Sequence, residues 1–141
     1  MKRLSFAVFA LVLSSPVLCQ VTAEIYCFRS GDGDAKAFEL RTYYDPGARW
    51  QGAAVKYRGS KLPITLVLEK TESVVLDEGR PHEWTSFWLE VFGGKVTGRY
   101  QMTSQGAMIY AMSYTNLRNQ NKTSFHFDSG VSATLEAGCQ W

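Results

Sequence analysis

Few residues in this chain are equipped for chemistry. Its 141 residues include 2 His and 3 Cys. Histidine titrates near neutral pH and is the first candidate for a general base. His82 lies in the polar run Gly79-Arg80-Pro81-His82-Glu83-Trp84, which reads as a loop. His126 alternates with Phe125 and Phe127 and is expected to point outward. The chain has no G-x-S-x-G, no H-E-x-x-H and no phosphate-binding P-loop. Both histidines therefore read as solvated or hydrogen-bonded residues rather than catalysts. Asp32 and Asp34, in the run Ser-Gly-Asp-Gly-Asp-Ala, resemble the start of a calcium loop. The third acid and the distant Glu of an EF-hand do not follow, so a solvated turn is expected. Asp77, Glu78 and Glu83 are close in sequence, and paired carboxylates can hydrolyse glycosides. An ordinary acidic loop is the expected reading. No catalytic residue, metal or cofactor is expected.

Two loops are better suited to recognition. Arg58-Gly59-Ser60-Lys61 offers donors at a tip between two strong strands. The stretch around Arg80, His82 and Trp84 combines a guanidinium, an imidazole and an indole. Arg and Trp dominate binding hot spots, and function often rides on loops held by a rigid scaffold. Arg58, Ser60, Lys61, Arg80, His82 and Trp84 are the expected partner-binding residues.

The elements that must position these loops are strands. From Trp84 to Tyr114 the chain reads as two consecutive hairpins. Phe87, Leu89 and Val91 alternate with Trp84, Ser86, Trp88, Glu90 and Phe92. After Gly93-Gly94, Val96, Gly98, Tyr100 and Met102 alternate with Thr97, Arg99 and Gln101. After Gly106, Met108, Tyr110, Met112 and Tyr114 alternate with Ile109, Ala111 and Ser113. Period-two patterning broken by Gly-containing turns is the signal of hairpins, and Gly-Gly supplies the positive φ of a tight turn. Upstream, Phe38, Leu40, Thr42 and Tyr44 share a face, Asp45-Pro46-Gly47 turns the chain, and Ala53, Val55 and Tyr57 share the next face. Ile64, Leu66 and Leu68 are expected inward, with Thr65, Val67 and Glu69 outward. The run from Thr71 to Glu83 is the longest connection, with room for a short strand at 74–76. Downstream, Ser124–Phe127 and Val131–Cys139 are expected to form a last hairpin across Asp128-Ser129-Gly130.

The amino terminus reads as a secretory signal. Lys2 and Arg3 precede an apolar run from Leu4 to Leu13, and Val21-Thr22-Ala23 is a small-residue cleavage site. Residues 1–23 are expected to be removed, leaving a single domain of 24–141. The apolar run is too short for a permanent membrane span. The chain holds 15 Lys+Arg against 13 Asp+Glu. Loss of Lys2 and Arg3 with the leader leaves as many acids as bases. A neutral chain without a basic cluster has no field to draw in nucleic acid or an anionic membrane. Cys19 leaves with the leader, so Cys27 and Cys139 remain as an isolated pair in an oxidising compartment, which is most simply a disulfide. Cys27 shares parity with Ile25, and Cys139 with Val131, Ala133, Leu135 and Ala137. Both cysteines are thus expected to point inward from terminal strands that close a sheet.

The fold expected from this pattern is all-β: one antiparallel domain of eight or nine strands in a barrel-like meander, with a two-sheet sandwich as the alternative. A cleaved signal, Tyr26-Cys27 opening the exported chain, a terminal Cys139, an all-β core and the pair Phe87-Trp88 resemble the small bacterial periplasmic inhibitors of lysozyme. The likeness extends more loosely to periplasmic toxin-immunity proteins. It covers architecture only. The S-A-S-G-x-R-Y inhibitory motif of that family has no counterpart here, and no inhibitory residue is carried over. A small stapled β scaffold, the lack of a catalytic motif and the polar-aromatic loops point to a non-enzymatic, periplasmic or secreted protein-binding domain, expected to be an inhibitor or immunity protein for a cell-wall hydrolase or secreted toxin. A carbohydrate- or small-molecule-binding β module is the alternative, since Trp50, Trp84, Trp88 and Trp141 with 7 Tyr could stack on sugars or line a barrel mouth. Asn121-Lys122-Thr123 is a formal glycosylation sequon.

Overall fold

A computed structural model describes residues 20–31 and 36–141. Most of the expected leader and the Asp32/Asp34 turn lie outside the described residues. Ten strands follow in order: β1 Thr22–Arg29, β2 Ala37–Asp45, β3 Trp50–Tyr57, β4 Ile64–Val74, β5 Glu83–Phe92, β6 Lys95–Gln105, β7 Met108–Asn116, β8 Lys122–Phe127, β9 Ala133–Thr134 and β10 Gly138–Cys139. The first eight form a closed antiparallel meander in which each strand pairs with the next. The fold is a barrel, and the sandwich alternative is set aside. β1 and β8 close it through two residue pairs, Phe28 with Phe127 and Arg29 with His126. Among the described residues no helix is long and apolar enough to cross a membrane.

Turn chemistry sets the register. Gly93 and Gly94 both take positive φ, 57° and 74°, as a two-residue hairpin with that twist requires. Asp45 Oδ1 accepts from the backbone N–H of Gly47 and Ala48 and holds the β2–β3 turn. Bulges between Leu68 and Lys70, Glu90 and Val91, and Thr103 and Ser104 bend β4 to β7.

An eight-stranded barrel is just wide enough for side chains to fill its interior. Phe28, Phe38, Leu40, Val55, Leu66, Tyr100 and Met112 are its fully buried core. The ring of Phe38 is the hub. Its centroid lies 4.8 Å from Phe125, 5.3 Å from Phe28, 5.4 Å from Tyr57 and 5.7 Å from Tyr100. Such pairs stabilise by about 0.5–1.5 kcal/mol each beyond the area they bury.

The inward parity of β2, β3 and β4 is the one expected from the alternation, but that of β1 is the reverse. Phe28 belongs to the core cluster and Tyr26 packs against it. Cys27 therefore faces outward. The long last strand is also overturned. After β8 the chain leaves the barrel and forms the separate two-stranded sheet β9–β10. A turn at 135–137 and positive φ at Gly138 interrupt the alternation. The short strand at 74–76 is likewise replaced: β4 runs unbroken to Val74, and Val75 and Leu76 lie in the connection.

Cys27 and Cys139 form the disulfide, with Cα atoms 5.9 Å apart. It does not join the barrel's closing strands. It staples β10 to the outer face of β1. Glu39 on the outer face of β2 accepts from the Cys139 backbone N–H at 3.0 Å and from Arg41 Nε at 3.0 Å. Arg41 also donates to the Leu135 carbonyl at 2.8 Å. A side chain at Gly138 would collide with the Glu39 carboxylate. The bond is compatible with an exported, oxidising location.

Because the disulfide fastens a clasp rather than the barrel seam, replacing both cysteines by alanine should lower stability by about 2–5 kcal/mol. Hydrogen exchange of the Cys27→Ala/Cys139→Ala variant should show β9 and β10 losing protection by local opening, beyond the uniform fall that the lower global stability imposes on β1 to β8. Equal loss in β1 and β8 would show that the staple holds the barrel itself.

Candidate functional site

The barrel has two mouths. The lower one carries the β2–β3, β4–β5 and β6–β7 connections. The upper one carries the β1–β2, β3–β4, β5–β6 and β7–β8 connections. This separates the expected recognition residues. Arg80, His82 and Trp84 come together at the lower mouth, whereas Arg58, Ser60 and Lys61 lie at the upper mouth, on the β3–β4 loop.

At the lower mouth the β4–β5 and β6–β7 hairpins lie side by side, since Val74 pairs with Glu83, Glu83 with Gln105 and Gln105 with Met108. The β4–β5 loop is tied to its neighbour. Gln105 Nε2 donates to the Pro81 carbonyl at 2.8 Å and Tyr110 donates to Gln105 Oε1 at 3.0 Å. Arg80 is ion-paired with Asp77 at 3.6 Å. The rings of His82 and Trp84 stack with centroids 6.2 Å apart. Around them Val74, Val75, Leu76, Met108 and Tyr110 are all exposed, and Trp84 is 47% exposed. Behind them the lower barrel is not fully packed: a cavity of about 160 Å³ is lined by Tyr26, Thr42, Tyr44, Ser86, Trp88 and Met102 among others. The sequence marked Arg80, His82 and Trp84 but not Met108, Tyr110 or the valines, whose alternation read as strand packing. Asp77 and Glu78 lie in this loop, both exposed, and among the described residues no group of three or more His, Cys, Asp and Glu is placed to hold a metal ion. His126 is exposed on β8.

The upper mouth is built differently. Glu90, only 7% exposed, points into the barrel from β5. It accepts from Thr97 Oγ1 at 2.6 Å, from Tyr114 at 3.0 Å and from Tyr100 at 3.3 Å. The Tyr57 and Tyr100 hydroxyls are 2.8 Å apart. Gly98 pairs with Glu90 across β5 and β6, and a Cβ there would collide with the Tyr114 ring. Glycine at 98 is what lets that ring lie over β6 and reach the carboxylate. Above this network is a cavity of about 380 Å³ lined by Lys36, Tyr57, Tyr114, Asn116, Asn119, Asn121, Thr123 and Phe125. Glu90 was an available signal, the one acid on a strand face otherwise made of Trp84, Ser86, Trp88 and Phe92.

Burial pushes the phenols of Tyr57, Tyr100 and Tyr114 above the ordinary tyrosine value. The field of Glu90 adds to the rise in all three, as does the contact with Tyr57 in the case of Tyr100. They stay protonated and donating through neutral pH. Comparisons with protein families, with curated proteins and with solved structures find no match to this chain.

Two outcomes follow from the network. A phenol whose pKa is raised on folding contributes stability that is complete below its unfolded value near 10 and is lost as pH rises through the folded value. Alkaline titration should therefore show tyrosinate absorbance from Tyr57, Tyr100 and Tyr114 appearing only together with unfolding above about pH 10. Their ionisation in a still-folded barrel would contradict the network. Gly98→Ala should cost about 1–3 kcal/mol in denaturant unfolding by displacing Tyr114, and a neutral effect would place that ring elsewhere.

Proposed function

We propose that this protein is a non-enzymatic protein-binding domain of the periplasm or secreted space, an inhibitor or immunity protein for a cell-wall hydrolase or secreted toxin. One observation carries the reading: the exposed apolar and aromatic side chains at the tips of the β4–β5 and β6–β7 hairpins, Trp84 among them. Large apolar groups held in water on two adjoining tips are costly and favour an interaction site. Indole, guanidinium and phenol groups are the side chains that concentrate binding energy. This surface is preorganised, because the hydrogen bonds from Tyr110 to Gln105 and from Gln105 to Pro81 fix the two tips against each other. A partner therefore meets a surface whose ordering cost is already met. An inhibitor needs no nucleophile of its own, only a protruding rigid surface, and two adjoining hairpin tips can enter a cleft. Arg58, Ser60 and Lys61, at the opposite mouth, take no part in this face.

Affinity capture from periplasmic or culture extract, paired with activity assays on peptidoglycan hydrolases, tests the reading. Trp84→Ala should weaken capture and inhibition at least about tenfold, the loss expected of a hot-spot residue, and Val75→Asp should do the same. Arg58→Ala/Lys61→Ala should leave both unchanged. Capture of no protein together with no effect on the hydrolases would overturn the proposal, and so would binding that survives both lower-mouth substitutions.

A further inference from the structure

The upper mouth carries a polarity that the protein-binding reading does not use. Glu90 accepts three hydrogen bonds, from Thr97, Tyr114 and Tyr100. Each phenol has one proton to give. Tyr114 and Tyr100 spend theirs on Glu90. Tyr57, 2.8 Å from Tyr100, must then give its proton to the Tyr100 oxygen. Every proton in the network runs inward to the carboxylate. Tyr57 and Tyr114 line the cavity of about 380 Å³, and we take their oxygens, left with lone pairs only, as its floor. A group that settles on this floor gains by donating hydrogen bonds, and any cation, with or without N–H groups, gains from the Glu90 charge behind the phenols. The Tyr57, Tyr114 and Phe125 rings on the cavity wall add aromatic faces, which also favour an ammonium group.

The rim has the opposite sense. Asn116 Oδ1 already accepts from the backbone N–H of Arg118 at 2.9 Å and of Asn119 at 3.3 Å. Asn119 Oδ1 accepts from the Asn121 N–H at 3.1 Å. The turn thus consumes the amide oxygens and leaves both NH₂ groups as donors. Lys36 adds an ammonium of its own to the lining. From floor to rim the cavity runs from acceptors backed by a negative charge to donors with a positive one.

We infer that the upper mouth binds a small zwitterion of the amino-acid class. Its ammonium sits on the Tyr57 and Tyr114 oxygens, and its carboxylate faces Lys36 and the Asn116 and Asn119 amides. Glu90 touches no ligand and acts as a positioning residue. It fixes the direction of the phenol protons and supplies the field.

Ligand-observed NMR and calorimetry on the whole protein test this with four probes: L-leucine, choline, propionate and glucose. L-Leucine should bind saturably, choline more weakly, and propionate and glucose not at all. Tyr114→Phe should weaken L-leucine binding about tenfold, the worth of one hydrogen bond to a charged group. Lys36→Gln alters only an exposed side chain, so its folding is not at risk. It should weaken L-leucine binding and leave choline binding unchanged. Absence of L-leucine binding at millimolar concentration would overturn the inference, as would glucose binding in its place. Wild-type affinity in both variants would do so too. None of these outcomes bears on capture through Trp84, so this inference and the protein-binding proposal fail separately.

Discussion

Everything in this structure depends on a short seam. An antiparallel meander leaves its first and last strands with unpaired N–H and C=O groups, and closing the barrel satisfies them. Here the closure consists of Phe28 paired with Phe127 and Arg29 with His126. The Asp128 N–H extends it by donating to the Cys27 carbonyl at 2.8 Å. Arg29 Nε and Asp128 Oδ2 meet across it at 3.0 Å. At a net of about 0.5–1.5 kcal/mol per hydrogen bond, a seam this short is weak by itself. The C-terminal segment lies outside it, clasped to β1 and β2. It carries Cys139 to Cys27, seats its backbone on Glu39 and Arg41, and brings the Trp141 ring to 5.9 Å from the Arg29 guanidinium.

Closure also decides what each strand face means. In an open sheet both faces of β5 could be half covered. In a closed barrel one face is sealed from water, and an acid on it is strongly penalised unless donors surround it. Glu90 is tolerated because Thr97, Tyr100 and Tyr114 supply three hydrogen bonds. Tyrosine suits the task, since its ring fills the aromatic interior and its hydroxyl reaches the carboxylate. Gly98 completes the arrangement by omitting a side chain where the Tyr114 ring must lie. One polar network thus ties β3, β5, β6 and β7 together inside the barrel, at the level where its core gives way to the upper cavity.

These constraints explain which features could be read in the amino-acid pattern. The alternation of Phe38, Leu40, Thr42 and Tyr44 and the turns at Asp45-Pro46-Gly47 and Gly93-Gly94 are local, so strands and register were legible. The Cys27–Cys139 pairing was legible because Cys19, the third cysteine, falls in the expected leader. Alternation says that two faces differ but not which one the closed sheet turns inward. In β1 both parities are apolar, Tyr26 and Phe28 against Ile25 and Cys27, and the cysteine was assigned to the wrong side. The even spacing of Val131, Ala133, Leu135 and Ala137 imitated a strand, yet the chain spends it on a turn and a two-residue pairing. At the candidate sites, loop composition pointed to Arg80, His82 and Trp84. It could not show that Arg58 and Lys61 occupy the opposite mouth, because strand order around the barrel, not sequence proximity, settles that.

The two mouths differ because different parts of the chain build them. The lower mouth is the overhang of the long hairpins β4–β5 and β6–β7. β4 runs past Val67, its last pair with β3, and the apolar residues near these tips remain exposed. The upper mouth is rimmed by the β7–β8 turn, whose asparagines spend their carbonyl oxygens holding the turn and keep their NH₂ groups. Between the two, Phe38 and its aromatic neighbours fill the barrel's cross-section. No group entering one mouth can touch the other through the interior. Any influence of one on the other has to pass along the strands, and β5, β6 and β7 carry residues of both. β5 carries Trp84 at its lower end and Glu90 near its upper end, and β7 runs from Met108 and Tyr110 to Tyr114 and Asn116. A close-packed interior transmits strain and yields little. The scaffold therefore carries two surfaces, each with the polarity its own connections dictate, and couples them only through the strain that those strands transmit.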